Sequence, residues 1–145
     1  MEKYMNQSLK LASKKIALVG SVNNNAPNIK AMLVKKHEGL KYFYFASNKS
    51  AMRTEQFKNN NKACIYFTSG PIYQGLMLEG IMEILNNEEM EVFNKEESKK
   101  FLWEYGMKKI YKNGGVNDPD YCVLKFTAFS GRHYYMLETN EFKIE

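Results

Sequence analysis

Ile16-Ala17-Leu18-Val19-Gly20-Ser21-Val22 is followed by Asn23-Asn24-Asn25-Ala26-Pro27-Asn28, and then by Ile29-Lys30-Ala31-Met32-Leu33-Val34-Lys35. Two apolar runs rich in β-branched residues, separated by a cluster of Asn and Pro, read as strands joined by a turn. Such a hairpin pairs antiparallel, because parallel strands need a long crossover. The next residues extend the pattern. Lys36-His37-Glu38-Gly39 reads as a second turn, leading into a third strand from Leu40 to Ala46. There Tyr42, Phe43, Tyr44 and Phe45 have high strand propensity.

Ala63 to Ser69 is a fourth strand, broken by Gly70-Pro71. Gln74 to Leu85 is a longer fifth, with Leu76, Leu78, Met82 and Ile84 on one face and Glu79 and Glu83 on the other. That period of two predicts a sheet with one wet face. Tyr121 to Phe129 is a sixth strand, followed by a turn at Ser130-Gly131 and a return through Tyr134 to Leu137.

Helices are expected at the periphery. Met5, Leu9 and Ala12 mark an amphipathic helix over 4–14. Ser50 is placed to cap a short helix from Ala51 to Lys58. Asn86-x-x-Glu89 and Asn94-x-x-Glu97 resemble capping boxes with Asn in place of Ser or Thr. The second of these helices runs to Tyr105, with Gly106 at its end. Strands do not alternate with long helices, which excludes a doubly wound parallel sheet. The prediction is a mainly β (α+β) protein, an antiparallel barrel of about six to seven strands with peripheral helices.

The 145 residues fit one domain, with no repeat or linker. Twenty aromatic residues argue against disorder. No stretch is apolar enough for a membrane helix and the N-terminus lacks the pattern of a signal peptide, so the cytoplasm is expected. Cys64 and Cys122 have no CxxC spacing and read as buried free thiols. His37 and His133 each stand alone in a polar break, without a Ser, Cys or Asp partner. A metal site and a hydrolytic triad are therefore not expected.

The net charge of +5 is uneven. Residues 1–62 carry 12 Lys/Arg against 3 Asp/Glu, and residues 63–145 carry 9 against 13. An anionic ligand is sought in the basic half. The most informative segment there is Ser47-Asn48-Lys49-Ser50-Ala51-Met52-Arg53. It joins small hydroxyls, a strand end, a helix start and a guanidinium. Free N–H groups at a helix start attract anions, and Arg forms paired charge-assisted bonds with phosphate oxygens. Lys30 adds a second cation, while Lys14-Lys15 and Lys35-Lys36 read as solvated surface. Nucleic acid is not an expected partner, since the aromatics have no basic companions on one face.

These segments resemble the FMN-binding split β-barrel proteins, the superfamily of pyridoxamine 5′-phosphate oxidase. Ile16–Val19 with Pro27 and Lys30 resembles its first motif. Phe45 to Arg53, followed by Phe57, Asn59 and Ala63-Cys64-Ile65-Tyr66-Phe67, resembles the second, and Gly75 to Gly80 with Glu83 the third. Tyr111, Gly115, Asp118-Pro119-Asp120-Tyr121 and Val123-Leu124 resemble a pattern of a small oxidase branch. The likeness runs over residues 5–136.

It implies a split barrel and a homodimer with two FMN sites at the subunit interface, acting on a small-molecule substrate. The cofactor phosphate would fall to Lys30, Ser50 and Arg53. The flavin ring would lie along Lys30, Ala31 and Met32, with Phe45, Ala46 and Ser47 beside the ribityl chain. Met52 falls within the same segment. Gln74, Trp103 and Tyr111 are candidates for the partner's contribution. Hydride or electron transfer at the flavin would need no protein nucleophile. Lys30 stands where the family usually has Arg, reducing a paired grip to a point charge. The acidic C-terminus, with Arg132 as the only late arginine, lacks the family's Arg-x-Arg substrate-phosphate site, which argues against vitamin B6 oxidation. The alternatives are a non-catalytic flavin- or haem-binding storage or sensor module, and a deazaflavin in place of FMN.

Overall fold

The computed structural model describes residues 2–69, 74–93 and 119–145. The expected helix over 94–105, the Gly114-Gly115 loop, Trp103 and Tyr111 lie outside them. Helix α1 spans Glu2–Ala12. Strands β1 (Ile16–Asn23), β2 (Ala26–Glu38) and β3 (Tyr42–Asn48) follow, then helix α2 (Met52–Asn59). After β4 (Lys62–Thr68) and β5 (Gln74–Ile84), residues 87–93 are helical, here α3. Strands β6 (Tyr121–Tyr135) and β7 (Glu138–Lys143) end the chain.

The first hairpin forms as its sequence predicts. Asn23 pairs with Ala26, and the two turn residues Asn24 and Asn25 both have positive φ, 51° and 64°. Asn tolerates that conformation, which matches the twist of the flanking strands. All described strand pairs are antiparallel, in the order β3-β2-β1-β4-β5-β6-β7. An additional β3–β6 pairing closes the first six into a barrel, and β7 extends β6 beyond the closure. This is the expected split β-barrel, with seven strands.

Period-two burial fills the barrel. Phe43, Phe45, Phe67 and Phe126 are wholly enclosed, together with Ile65, Leu76, Leu78 and Leu124. A smaller apolar cluster, Leu85, Phe93, Tyr121 and Val123, lies against Tyr44 and Ala46 of β3. It carries α3, whose start is the predicted reciprocal cap: Glu89 N–H donates to Asn86 Oδ1 at 2.9 Å, and Asn86 N–H to Glu89 Oε1 at 3.1 Å.

Four expectations are corrected. Ser130-Gly131 is not a turn. The strand continues to Tyr135, Ser130 lies opposite Glu79 and Gly131 opposite Leu78, with a bulge between Glu79 and Gly80. A Cβ on Gly131 would lie 2.5 Å from the Phe142 ring and 2.9 Å from Leu78 Cδ2, so this glycine serves close packing. Gly80 sits at the bulge for the same reason, since its Cβ would come 1.8 Å from the Thr127 carbonyl oxygen. His133 therefore lies inside a strand and is fully buried rather than in a polar break.

Lys35 is not solvated. The register of β2 against β3 shifts between Val34 and Lys36; Lys35 stays on the outer face of the barrel but is buried there under Phe93 and Tyr121. Its ammonium donates to the Tyr121 hydroxyl at 2.5 Å and lies 5.3 Å from the Phe93 ring centre. Leu9 is exposed, because α1 buries Ser8, Leu11 and Ala12 instead. The fourth correction concerns Ser50 and belongs with the site.

Candidate anion site at the α2 end of the barrel

Helix α2 packs over the barrel end where β1 finishes and β6 begins. Polar bonds hold it there. Ser21 Oγ of β1 donates to Gln56 Oε1 at 2.7 Å in a buried pair. Thr54 Oγ1 donates to the Asn48 carbonyl at 2.7 Å, leaving the Ser47 hydroxyl, 3.2 Å away, to donate to Thr54. Phe57 supplies the apolar contact with the core.

Ser50 does not cap this helix. The N-cap is Ala51, in extended conformation and without a side-chain hydrogen bond. Ser50 donates its backbone N–H (2.9 Å) and its hydroxyl (2.6 Å) to the Asp120 carboxylate. Asp120 precedes β6, which pairs with β3, so the barrel's closure brings the acid to the end of β3. A carboxylate is the stronger acceptor, and it takes both Ser50 donors.

Arg53 lies one helical turn before Gln56. It is half-buried, and burial pushes its guanidinium below the ordinary value. Among the described residues no hydrogen bond or ion pair is found for it. Lys30, exposed on β2, pairs with Val19, two residues from Ser21. Arg53 is thus on the helix that takes part in the Ser21–Gln56 bond, and Lys30 on the strand paired with β1.

Strand β2 has an open edge at this point. Val34 N–H donates to the Lys15 carbonyl at 2.7 Å. The antiparallel alternation then turns the backbone groups of Lys30 and Met32 toward β1, and those of Ala31 away from it. Strand β3 begins to pair only at Val34, so it does not cover Ala31.

The remaining predicted residues divide. Ser47 is buried at the base of α2, and Met52 is exposed. Phe45 is wholly enclosed in the barrel core, and Ala46 packs in the α3 cluster. Gln74 lies at the opposite end, its amide nitrogen 3.4 Å from His133 Nε2.

A cleft of about 810 Å³ opens on the outer face of the sheet. Gly20, Ile29, Cys64, Met77, Ile81 and Phe129 give it a mainly apolar lining, and Ser21 and Asn28 lie at its border with the α2 end. Sequence reasoning did not find it. The signal was the unpaired apolar face of β1 and β2, exposed at Ile29. Burial raises the thiols of Cys64 and Cys122 above the usual value, and no described His, Cys, Asp and Glu residues form a metal-binding group. No helix among the described residues is long and apolar enough to cross a membrane.

A six-stranded antiparallel barrel with a strand running past its closure defines the class of split β-barrel proteins. No family model and no curated protein sequence matches the chain. Among solved structures, one from Clostridium acetobutylicum is described as related to general stress protein 26 of B. subtilis (pyridoxinephosphate oxidase family). It is 42% identical over 99% of this chain and 96% of its own, with a TM-score of 0.81. The chain belongs to the pyridoxinephosphate oxidase family. General stress protein 26 from Bacillus anthracis shares the fold at 15% identity, TM-score 0.73, over 99% of this chain and 98% of that one. A haem-binding protein from Mycobacterium smegmatis shares it at 12% identity, TM-score 0.73, over 99% of this chain and 58% of that one.

Proposed function

We propose that this protein is a cytoplasmic, homodimeric flavoprotein that holds FMN at each subunit interface and oxidises or reduces a small molecule. The observation that carries the reading is Arg53, partly desolvated and without an acidic partner among the described residues. A guanidinium cannot shed its charge, so an anion at this position completes its surroundings. The donor set fits a flavin phosphate: Arg53 and Lys30 supply charge, and the open β2 edge supplies backbone groups. Ser50, engaged by Asp120, is the weak member of the set. The apolar cleft, with the exposed Ile29 and Phe129 in its lining, supports burial of this face against a second copy.

In this reading Arg53 and Lys30 bind and orient the phosphate end. The Ala31 backbone would hold the ring edge, and the dimer would exclude water. Bound FMN itself supplies the hydride or electron chemistry. In this reading the substrate is a small molecule other than a pyridoxine phosphate. Arg132 bonds Glu141 at 3.0 Å and the Tyr134 hydroxyl at 3.1 Å, with Glu79 at 4.0 Å, and is not offered to a substrate phosphate.

The test is the visible spectrum of the purified protein, before and after adding FMN and desalting, alongside sedimentation. Retained flavin bands on a dimer support the proposal. A colourless protein that releases FMN overturns it, and haem and deazaflavin are then tried by the same assay.

A further inference from the structure

The opposite end of the barrel carries a separate device. His133 of β6 is fully enclosed. Its ring stacks on Tyr4 of α1, with centroids 6.3 Å apart and planes 27° from parallel. Tyr4 also covers Phe142 of β7, at 5.9 Å. Among the described residues the ring's Nδ1 has no hydrogen-bond partner, and Nε2 meets the Gln74 amide, at 3.4 Å. The remaining cross-strand neighbours are Leu76 of β5 and Asn140 of β7.

Among the described residues, Tyr4 is the one titratable group facing the imidazole. The charged residues of the packed elements, such as Lys3 and Lys10 of α1, Glu79 of β5 and Glu141 of β7, lie on exposed faces. Burial lowers the affinity of His133 for a proton. An imidazolium has two N–H groups to satisfy. The Gln74 amide, turned over, can accept from one of them, and no described residue accepts from Nδ1.

We propose that α1 is an acid-released latch: it stays docked over neutral His133, and protonation of the ring undocks Glu2–Ala12 from the end of the barrel. Undocking exposes the ring to water, where the ammonium-like form is solvated. The undocked state therefore binds the proton more tightly. The docked fraction is insensitive to pH above about 6.5, the ordinary histidine value, and falls below it. The fall stops at the lower value of the docked ring.

The test is amide hydrogen exchange of residues 2–12 in the full chain from about pH 7.5 down to about pH 5, corrected for intrinsic rates. Protection should drop by up to ~10-fold per pH unit below ~6.5, the limit for one linked proton. His133→Leu removes the proton site and keeps an apolar contact, so its protection should stay flat. Unchanged protection in the parent, or an equal fall in the variant, overturns the proposal. If the variant does not fold, the parent's ring titration by NMR decides the matter, since the chain has only two histidines. A His133 signal that titrates below ~6.5 together with the loss of α1 protection supports the latch. One that titrates at or above that value with α1 protected refutes it.

Discussion

Helices α1 and α2 close the two ends of the barrel, and each leaves a nitrogen-bearing side chain short of partners. At the α1 end the group is the wholly buried His133, held against Tyr4, with one ring nitrogen unsatisfied among the described residues. At the α2 end it is the half-buried Arg53, beside the Ser21–Gln56 bond. Burial moves both proton affinities downward, yet the outcomes differ. Imidazole can become neutral within the physiological range, so the fold tolerates it in an apolar setting. Guanidinium stays charged, so its setting calls for a counter-charge. The same desolvation thus supports two different proposals, a pH-sensitive group at one end and an anion-binding group at the other.

Both ends rest on one core, which gives the largest expected effect. Phe67→Ala removes an enclosed ring from β4. It should destabilise the protein by about 3–5 kcal/mol, lost ring plus cavity. Thermal or urea unfolding measures this. If only one end loosened while the rest kept its stability, the two ends would have separate supports.

Next comes Arg53→Ala. A charge-assisted hydrogen bond contributes about 1.5–3 kcal/mol, so FMN binding should weaken roughly 10- to 100-fold, converted at about 1.4 kcal/mol per tenfold. Unfolding of the ligand-free protein should be unchanged or slightly improved, since a desolvated charge is gone. Arg53→Lys should retain part of the affinity. Equal FMN affinity in Arg53→Ala would place the phosphate elsewhere.

The barrel was legible because its strands announce themselves: alternating Phe43 and Phe45, Leu76 and Leu78, and the Asn turn. Strand β7 was not, since Glu138-Thr139-Asn140-Glu141-Phe142-Lys143 has no apolar alternation beyond Phe142. The glycine that packs against that phenylalanine then read as a turn. Lys35 was missed because its cover comes from far along the chain: Phe93 of α3 and Tyr121, 86 residues away, bury it on the outer face. At the site, Arg53 was visible as a cation at a helix start. The partner of Ser50 was not, because Asp120 lies 70 residues away and arrives only when β3 pairs with β6.

That misread cap offers a smaller effect of opposite sign. Ala51 occupies the N-cap in extended conformation with no side-chain bond. Ala51→Ser should stabilise the protein by about 1 kcal/mol, the usual difference between Ser and Ala there. The gain appears as a raised urea midpoint at unchanged slope. It should leave α1 exchange untouched, because the two helices sit at opposite ends.

The smallest effect lies on the surface of α2. Lys58 and Glu55 form an i, i+3 pair at 3.8 Å, with 52% and 64% of their side chains exposed. Glu55→Gln should change stability by no more than about 0.5 kcal/mol, the scale of such exposed pairs. Its value is as a control on Arg53, two residues away. If Arg53 already drew on the Glu55 charge, removing that charge would strengthen FMN binding by freeing the guanidinium. With Arg53 unpaired, as the structure has it among the described residues, FMN affinity should rise only by the weak, salt-screened relief of one distant negative charge. A gain near tenfold that vanishes in the Arg53→Ala background would show the two side chains to be coupled, and would remove the contrast between the two ends of the barrel.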